Sequence, residues 1–218
     1  MKRDNYYIKR NIQDIDKTNE LLECLPPFCE DYFLGIEQRT SCQTRLKYAY
    51  DLRIFFDFLC KRKYRKKDVL DLTLEDLEGV TNNDIEFFLS YLSHYRFNKK
   101  SLSCDERAKA RKLSAVRAMF KYFFNKGLIE VDNSSKVQTP KLHEKEIIRL
   151  EAEEVSKLID IAESGSGLSR HASGYHDKTK IRDIAIITLF LGTGIRISEL
   201  VGLDNDSFDF SNNSCPLF

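Results

Sequence analysis

The chain has 218 residues, a formal net charge of +1 and 42% hydrophobic residues, which is enough for one large domain or two small ones with real cores. Its longest apolar run, Ile184 to Leu191, is far short of the ~20 residues a bilayer span needs, and the opening MKRDNYYIKRN lacks the apolar segment of a signal peptide. The chain accordingly reads as cytoplasmic, and its six cysteines, with no C-x-x-C and no paired Cys/His spacing, read as reduced thiols and not as a zinc site.

Residues 1–21 read as an N-terminal extension. A first helix is expected from Pro27, burying Phe28, Tyr32, Phe33 and Ile36. In TRLKYAYDLRIFFDFLC the apolar positions Tyr48, Leu52, Phe55, Phe56 and Leu59 recur at helical spacing, and Ile85, Phe88, Leu89 and Leu92 repeat the pattern. A fourth helix runs from a Ser-x-x-Glu capping box at Ser103 through Leu113, Val116, Phe120 and Phe123 to a stop at Gly127. Four such helices on short polar loops make a bundle of about a hundred residues. After Gly127 a polar stretch containing Pro140 reads as a linker. Then EEVSKLIDIA gives a helix with Val155, Leu158 and Ile159 inward. SGSGLSRHASGYHDKTK reads as a Gly/Ser-rich loop, and an apolar helix leads into LGTGIRISEL.

Charge is segregated along the chain. Lys61 to Lys67 holds six positive charges and no acid, Asp68 to Glu86 seven acids and no base, and Arg96 to Lys121 nine bases against two acids. Such segregation suits a polyanion held on one face, although a charge run by itself equally describes a solvated surface. Arg196 is the misfit, an arginine between two isoleucines just after an apolar run, where a charge needs a partner or a ligand. Glu199, three residues on, can pair with it on the same helical face. Two readings stand from the residues alone: a helix C-cap at Gly192 or Gly194 with a surface Arg–Glu pair, or an arginine awaiting an anion. A dinucleotide loop does not fit GTG, because the third glycine of G-x-G-x-x-G would fall at Ile197 and no βαβ unit surrounds it.

Taken in order, several stretches resemble the tyrosine recombinases, the family of phage integrases, Xer recombinases and conjugative-transposon integrases. They are Thr44, Tyr48, Asp51, Leu52 and Phe55 as T-x3-Y-x2-D-L-x2-F, then RKLSAVRAMFKYFFNKGLI, TPK, LEAEEVSKLI and IRDIAIITLFLGTGIRISELVGL. The resemblance implies a mainly α fold: a four-helix SAM-like core-binding domain over 22–128, a linker over 129–146, and over 147–218 a partial, mostly helical start of a catalytic domain. It implies double-stranded DNA as partner and DNA strand cleavage and rejoining through a 3′-phosphotyrosyl link, without ATP or metal. Arg196 falls where the family has the first of two catalytic arginines, with Glu199 supporting it and Thr193 available for a hydrogen bond to the scissile phosphate. A guanidinium suits the charge that gathers on the phosphate oxygens in the transition state. Thr44, Arg45, Arg111, Lys112, Arg117, Lys121 and Lys141 are the expected DNA contacts.

The sequence departs from the family pattern in having no hairpin lysine, no His-x-x-Arg and no late tyrosine after Phe210. All ten tyrosines lie at or before Tyr175. Glu151 stands where the family has Thr or Ser as a helix cap. His94, His143, His171 and His176 match no catalytic histidine and read as surface residues. The expectation is a truncated recombinase, catalytically incompetent by itself, and family members assemble as tetramers on DNA while self-association of this chain is not expected. The alternative is a DNA-binding accessory or regulatory protein derived from the recombinase's binding half.

Overall fold

A computed structural model describes residues 6–143, 146 and 148–203. The expected C-terminal stretch from Phe210 lies outside them. The chain is mainly α and divides into two units: residues 8–144 form one, and residues 145–218, together with the first seven, form the other.

The first unit is built on α3 (Cys42–Arg62) and α6 (Glu106–Asn125), with α1 (Tyr6–Leu22), α2 (Phe28–Ile36), α4 (Leu74–Glu78) and α5 (Asn82–Tyr91) around them. Each expected apolar stripe is the inward one. Leu52, Phe55, Phe56 and Leu59 of α3, Ile85 and Phe88 of α5, and Leu113, Val116, Phe120 and Phe123 of α6 are buried. Each such side chain contributes roughly 1.5–3 kcal/mol. Phe28 sets its ring edge-on to both Phe56 and Phe123, tying α2 to α3 and α6. Gly35 lets α2 come so close to α6 that a Cβ there would overlap the Tyr122 ring.

Polar side chains fix where the helices begin. Ser41 caps α3 by accepting from Thr44 N at 3.2 Å, and Thr81 caps α5 by accepting from Asp84 N at 3.2 Å, while the Asp84 carboxylate accepts from Thr81 N at 2.9 Å. The cap of α6 is Asp105, which accepts from Ala108 N at 2.8 Å, so the helix starts two residues later than a box on Ser103 would place it. An acid serves as well as a serine here and adds favourable charge at the helix N-terminus.

Four features differ from the sequence-based expectation. Residues 6–22 are helical, and the last turn of α1 buries Thr18 and Leu21. Between α5 and α6 lies a two-stranded hairpin, β1 (Tyr95–Phe97) and β2 (Lys100–Leu102). The stretch after Gly127 is not loose, because Ile129, Ser134 and Val137 are buried and residues 133–136 form a 3-10 turn. In the second unit, α7 (Ala152–Ser164) is followed by a turn of only five residues before α8 (Arg170–Thr193). Ser169 accepts from Ala172 N at 3.3 Å and starts α8 inside what the Gly/Ser-rich composition suggested was loop.

The second unit continues through α9 (Ile197–Val201). At α7 the unusual cap residue Glu151 is held through its backbone, which donates to Glu154 Oε2 at 2.9 Å. Val155 and Ile159 are half-buried, whereas Leu158 is exposed. His176, expected on the surface, lies against α7 with Nε2 2.8 Å from Ala162 O. Among the described residues, none of α7 or α8 reaches full burial.

Candidate nucleic-acid interface and phosphate site

The basic side chains of the first unit separate into those that hold the fold and those that face outward. Arg45 is structural: it is buried, and its Nη1 donates to Glu37 O at 2.9 Å and Thr40 O at 2.7 Å. Lys112 is structural too, 6% exposed at the side chain and 2.8 Å from Asp51 Oδ1. Arg117 turns back onto the segment after α6, donating to Ser134 O at 3.3 Å, to Thr139 Oγ1 at 2.8 Å and to Val137 O. These three were expected to meet DNA, and this geometry leaves them engaged within the protein. Spacing alone could not reveal it, since their partners lie on other elements.

Arg111 differs. It shares Asp51 with Lys112, donating to Oδ2, yet its side chain is 46% exposed. Asp51 is 1% exposed at the side chain, so a fully buried carboxylate orients a half-buried guanidinium that has no other hydrogen-bond partner among the described residues. Arg107, Arg111, Ser114 and Lys121 fall on one face of α6 at helical spacing, and all four are exposed. Alongside, α3 presents Thr44, partly buried in its first turn, and Lys47, exposed one turn before Asp51. Lys141 is exposed beyond the Arg117 clamp. Sequence reasoning missed Asp51 as an organiser, although an aspartate at a core-facing position of an apolar helix was the available signal. It did not single out Lys47 or Arg107, both exposed.

The basic run after α3 has another use. Lys63 Nζ lies 2.6 Å from Asp84 Oδ2 and Lys67 Nζ 2.6 Å from Asp76 Oδ2. Both acids sit in the first turns of helices, so two cations of the positive run are paired with the acidic run in space. Burial alone would raise the Asp84 and Asp76 carboxyls, but hydrogen bonds from Lys63 and Thr81, and from Lys67 and Thr73, hold both below the usual carboxylate value.

In the second unit, α8 ends where Gly194 takes a left-handed conformation, φ 65°, with its N–H donating to Phe190 O at 3.0 Å. A residue with a Cβ would be strained there. The Thr193 hydroxyl donates to Leu189 O at 2.6 Å and accepts from Ile195 N at 3.2 Å, so its proton is already committed. Arg196 follows in extended backbone. Its N–H donates to Glu199 Oε2 at 2.8 Å and its Nη1 to Glu199 Oε1 at 2.9 Å. The Arg196 backbone N–H and then its guanidinium hold the Glu199 carboxyl below its usual range. The Arg196 side chain remains 81% exposed, aimed by one acid and otherwise open to an anion.

Among the described residues no tyrosine hydroxyl is hydrogen-bonded to Arg196, although that of Tyr7 donates close by, to Ser198 O. Tyr64 and Tyr95 are pushed up to about 12, chiefly by burial, opposite to what an attacking phenolate needs. Tyr175 is exposed on α8, but eighteen residues of helix follow it, placing it about 27 Å along the axis from Thr193, after which the chain turns into Arg196.

A helix capped at Gly194 and followed by an exposed Arg196–Glu199 pair is the first of the two readings the residues allowed, while the mainly α fold is the one the family resemblance implied. The comparisons agree: the chain belongs to the tyrosine recombinase family. It is 33% identical over 193 residues to tyrosine recombinase XerC of Caldanaerobacter subterraneus subsp. tengcongensis, a match covering 83% of this chain and 49% of that protein. It is 28% identical over 218 residues to tyrosine recombinase XerS of Streptococcus agalactiae, covering 87% and 60% respectively. With tyrosine recombinase XerC of Syntrophus aciditrophicus it shares 29% over 181 residues, 83% of this chain and 52% of the relative. The chain thus spans about half to three fifths of the length of these relatives. No family model matches it, and no solved structure does.

Proposed function

We propose that these 218 residues carry the double-stranded-DNA-binding part of a tyrosine site-specific recombinase, together with the first arginine of its phosphate site. The observation that carries the reading is the outward face of α3 and α6: Lys47, Arg107, Arg111 and Lys121 point to solvent there, and only Arg111 has an acidic partner among the described residues. In this reading the core-binding domain is the α1–α6 unit, and Arg196, steadied by Glu199, takes a non-bridging oxygen of the scissile phosphate. Its fixed positive charge would stabilise the charge that builds there during strand transfer.

Cleavage also requires a nucleophile and a general acid for the leaving 5′-hydroxyl. No His-x-x-Arg follows Arg196, and every tyrosine precedes it. By themselves these 218 residues therefore bind DNA without cutting it. Their binding half resides in one unit, which also fits an accessory role in which sites are occupied and never cut.

The test is a gel-shift titration of the 218-residue chain on duplex DNA across salt concentrations, with a nicked substrate that traps any phosphotyrosyl adduct. If about 4 to 6 phosphates are neutralised, log K against log salt falls with a slope of roughly −4 to −5. Absence of a shift at low salt removes the DNA reading, and an adduct that survives denaturation removes the claim that binding occurs without cleavage.

A further inference from the structure

We propose that the β1–β2 hairpin is a second phosphate-gripping element, which reaches past the end of α6 to contact the DNA backbone beyond the face described above. The proposal rests on the DNA-binding reading. The hairpin carries Arg96, Lys99 and Lys100, all exposed and none with an acidic partner among the described residues. Three cations within five residues, left uncompensated, contrast with the nearby lysines Lys61, Lys63 and Lys67, each of which has its aspartate.

The turn conformation adds a second, independent observation. Asn98 and Lys99 connect strands paired Phe97 to Lys100, and both have positive φ, 48° and 63°. A two-residue turn of this kind favours Asn followed by Gly. Asparagine tolerates its position, but lysine does so poorly, and a residue held in an unfavourable conformation points to a use for its side chain. Here that side chain supplies a charge at the outermost point of the hairpin, where glycine would supply none.

The hairpin is also rigidly rooted beside the basic face. Lys61 Nζ and Tyr91 OH each donate to Arg96 O at 3.3 Å, and the Arg53 guanidinium lies 5.4 Å from the centre of the Phe97 ring. Cys104 N donates to Leu92 O at 2.9 Å. The Tyr95 ring is buried within electrostatic reach of Asp51, the carboxylate that orients Arg111. Three residues of strand extend about 10 Å, equivalent to about three base steps along one DNA strand. The tip lysines therefore gain phosphates that the α6 face does not reach.

The experiment compares four full-length chains on a fixed duplex of arbitrary sequence: wild type, Lys99→Gly, Lys99→Gly with Lys100→Gln, and a control with Lys9→Gln and Lys17→Gln on α1 that removes the same net charge as the double variant. The expected result is a loss of roughly tenfold in affinity per tip lysine at 0.1 M salt, with the salt slope shallower by about 1 for each. The control stays close to wild type. Lys99→Gly, relieved of its unfavourable φ, melts at a higher temperature than wild type while binding DNA less tightly, so weakened binding is not a sign of unfolding. Wild-type binding with an unchanged slope in the hairpin variants overturns this proposal and leaves the α3–α6 interface standing. Equal losses in the control also overturn it, since the effect is then one of overall charge. A wild-type chain that fails to bind DNA even at low salt overturns both readings together.

Discussion

Asp51 lies at the root of the basic face, and its two partners divide the work: Lys112 is sealed in with it, while Arg111 leans outward. Removing the acid leaves a buried ammonium with no counter-charge, which typically costs about 3–5 kcal/mol. Asp51→Ala should accordingly lower the urea midpoint sharply, and pairing Asp51→Leu with Lys112→Met should recover much of the loss, because a well-packed apolar pair can replace a buried ion pair. Arg111→Glu is expected to weaken DNA binding with a smaller effect on the midpoint than Asp51→Ala. Equal stability of Asp51→Ala and wild type would mean that Lys112 finds another partner. The pair was not legible in the sequence, because Asp51 and Arg111 stand 60 positions apart and only folding brings them together. The position of Arg196 was legible, since a charge after an apolar run and two glycines is locally anomalous. That Glu199 alone pairs with it among the described residues was not.

At the scale of the element, α2, α3, α5 and α6 were legible because each has enough turns for an apolar stripe to repeat. The five-residue α4 and the three-residue strands are too short to show a period, and α8 was half hidden because HASGYHDKTK has the composition of a loop but sits behind a capping Ser169. In α1 the spaced isoleucines Ile8, Ile12 and Ile15 are exposed, so its helical period carries little burial. The starts of α4 and α5 give a pH prediction. Asp76 and Asp84 have carboxyls depressed below the ordinary 3.8 by their lysines and threonines in the folded chain. A depressed group contributes stability above its unfolded value and loses that contribution as the pH falls through the folded one. Urea midpoints measured from pH 6 downward should therefore decline below about pH 4, and Asp84→Asn should start lower with a shallower decline. An identical acid profile for the variant would show that Lys63 and Thr81 contribute nothing net.

For the whole molecule, the two units differ in how much they bury. Residues 8–144 enclose a continuous aromatic and aliphatic core, whereas α7 and α8 have no fully buried residue among those described, and Ile181, Leu191 and Ile197 are exposed. Limited proteolysis should release a stable N-terminal fragment. Its end should lie after Thr139 and not at Gly127, because Arg117 and the buried Ile129 and Val137 protect the intervening backbone. A first cut between residues 128 and 139 would contradict that clamp. The clamp also makes Arg117 the closure of the first unit: Arg117→Ala should admit a protease cut within residues 128–139 while leaving α3 and α6 packed, because among the described residues that guanidinium alone ties Thr139 and the Val137 and Ser134 carbonyls back to α6 by hydrogen bonds.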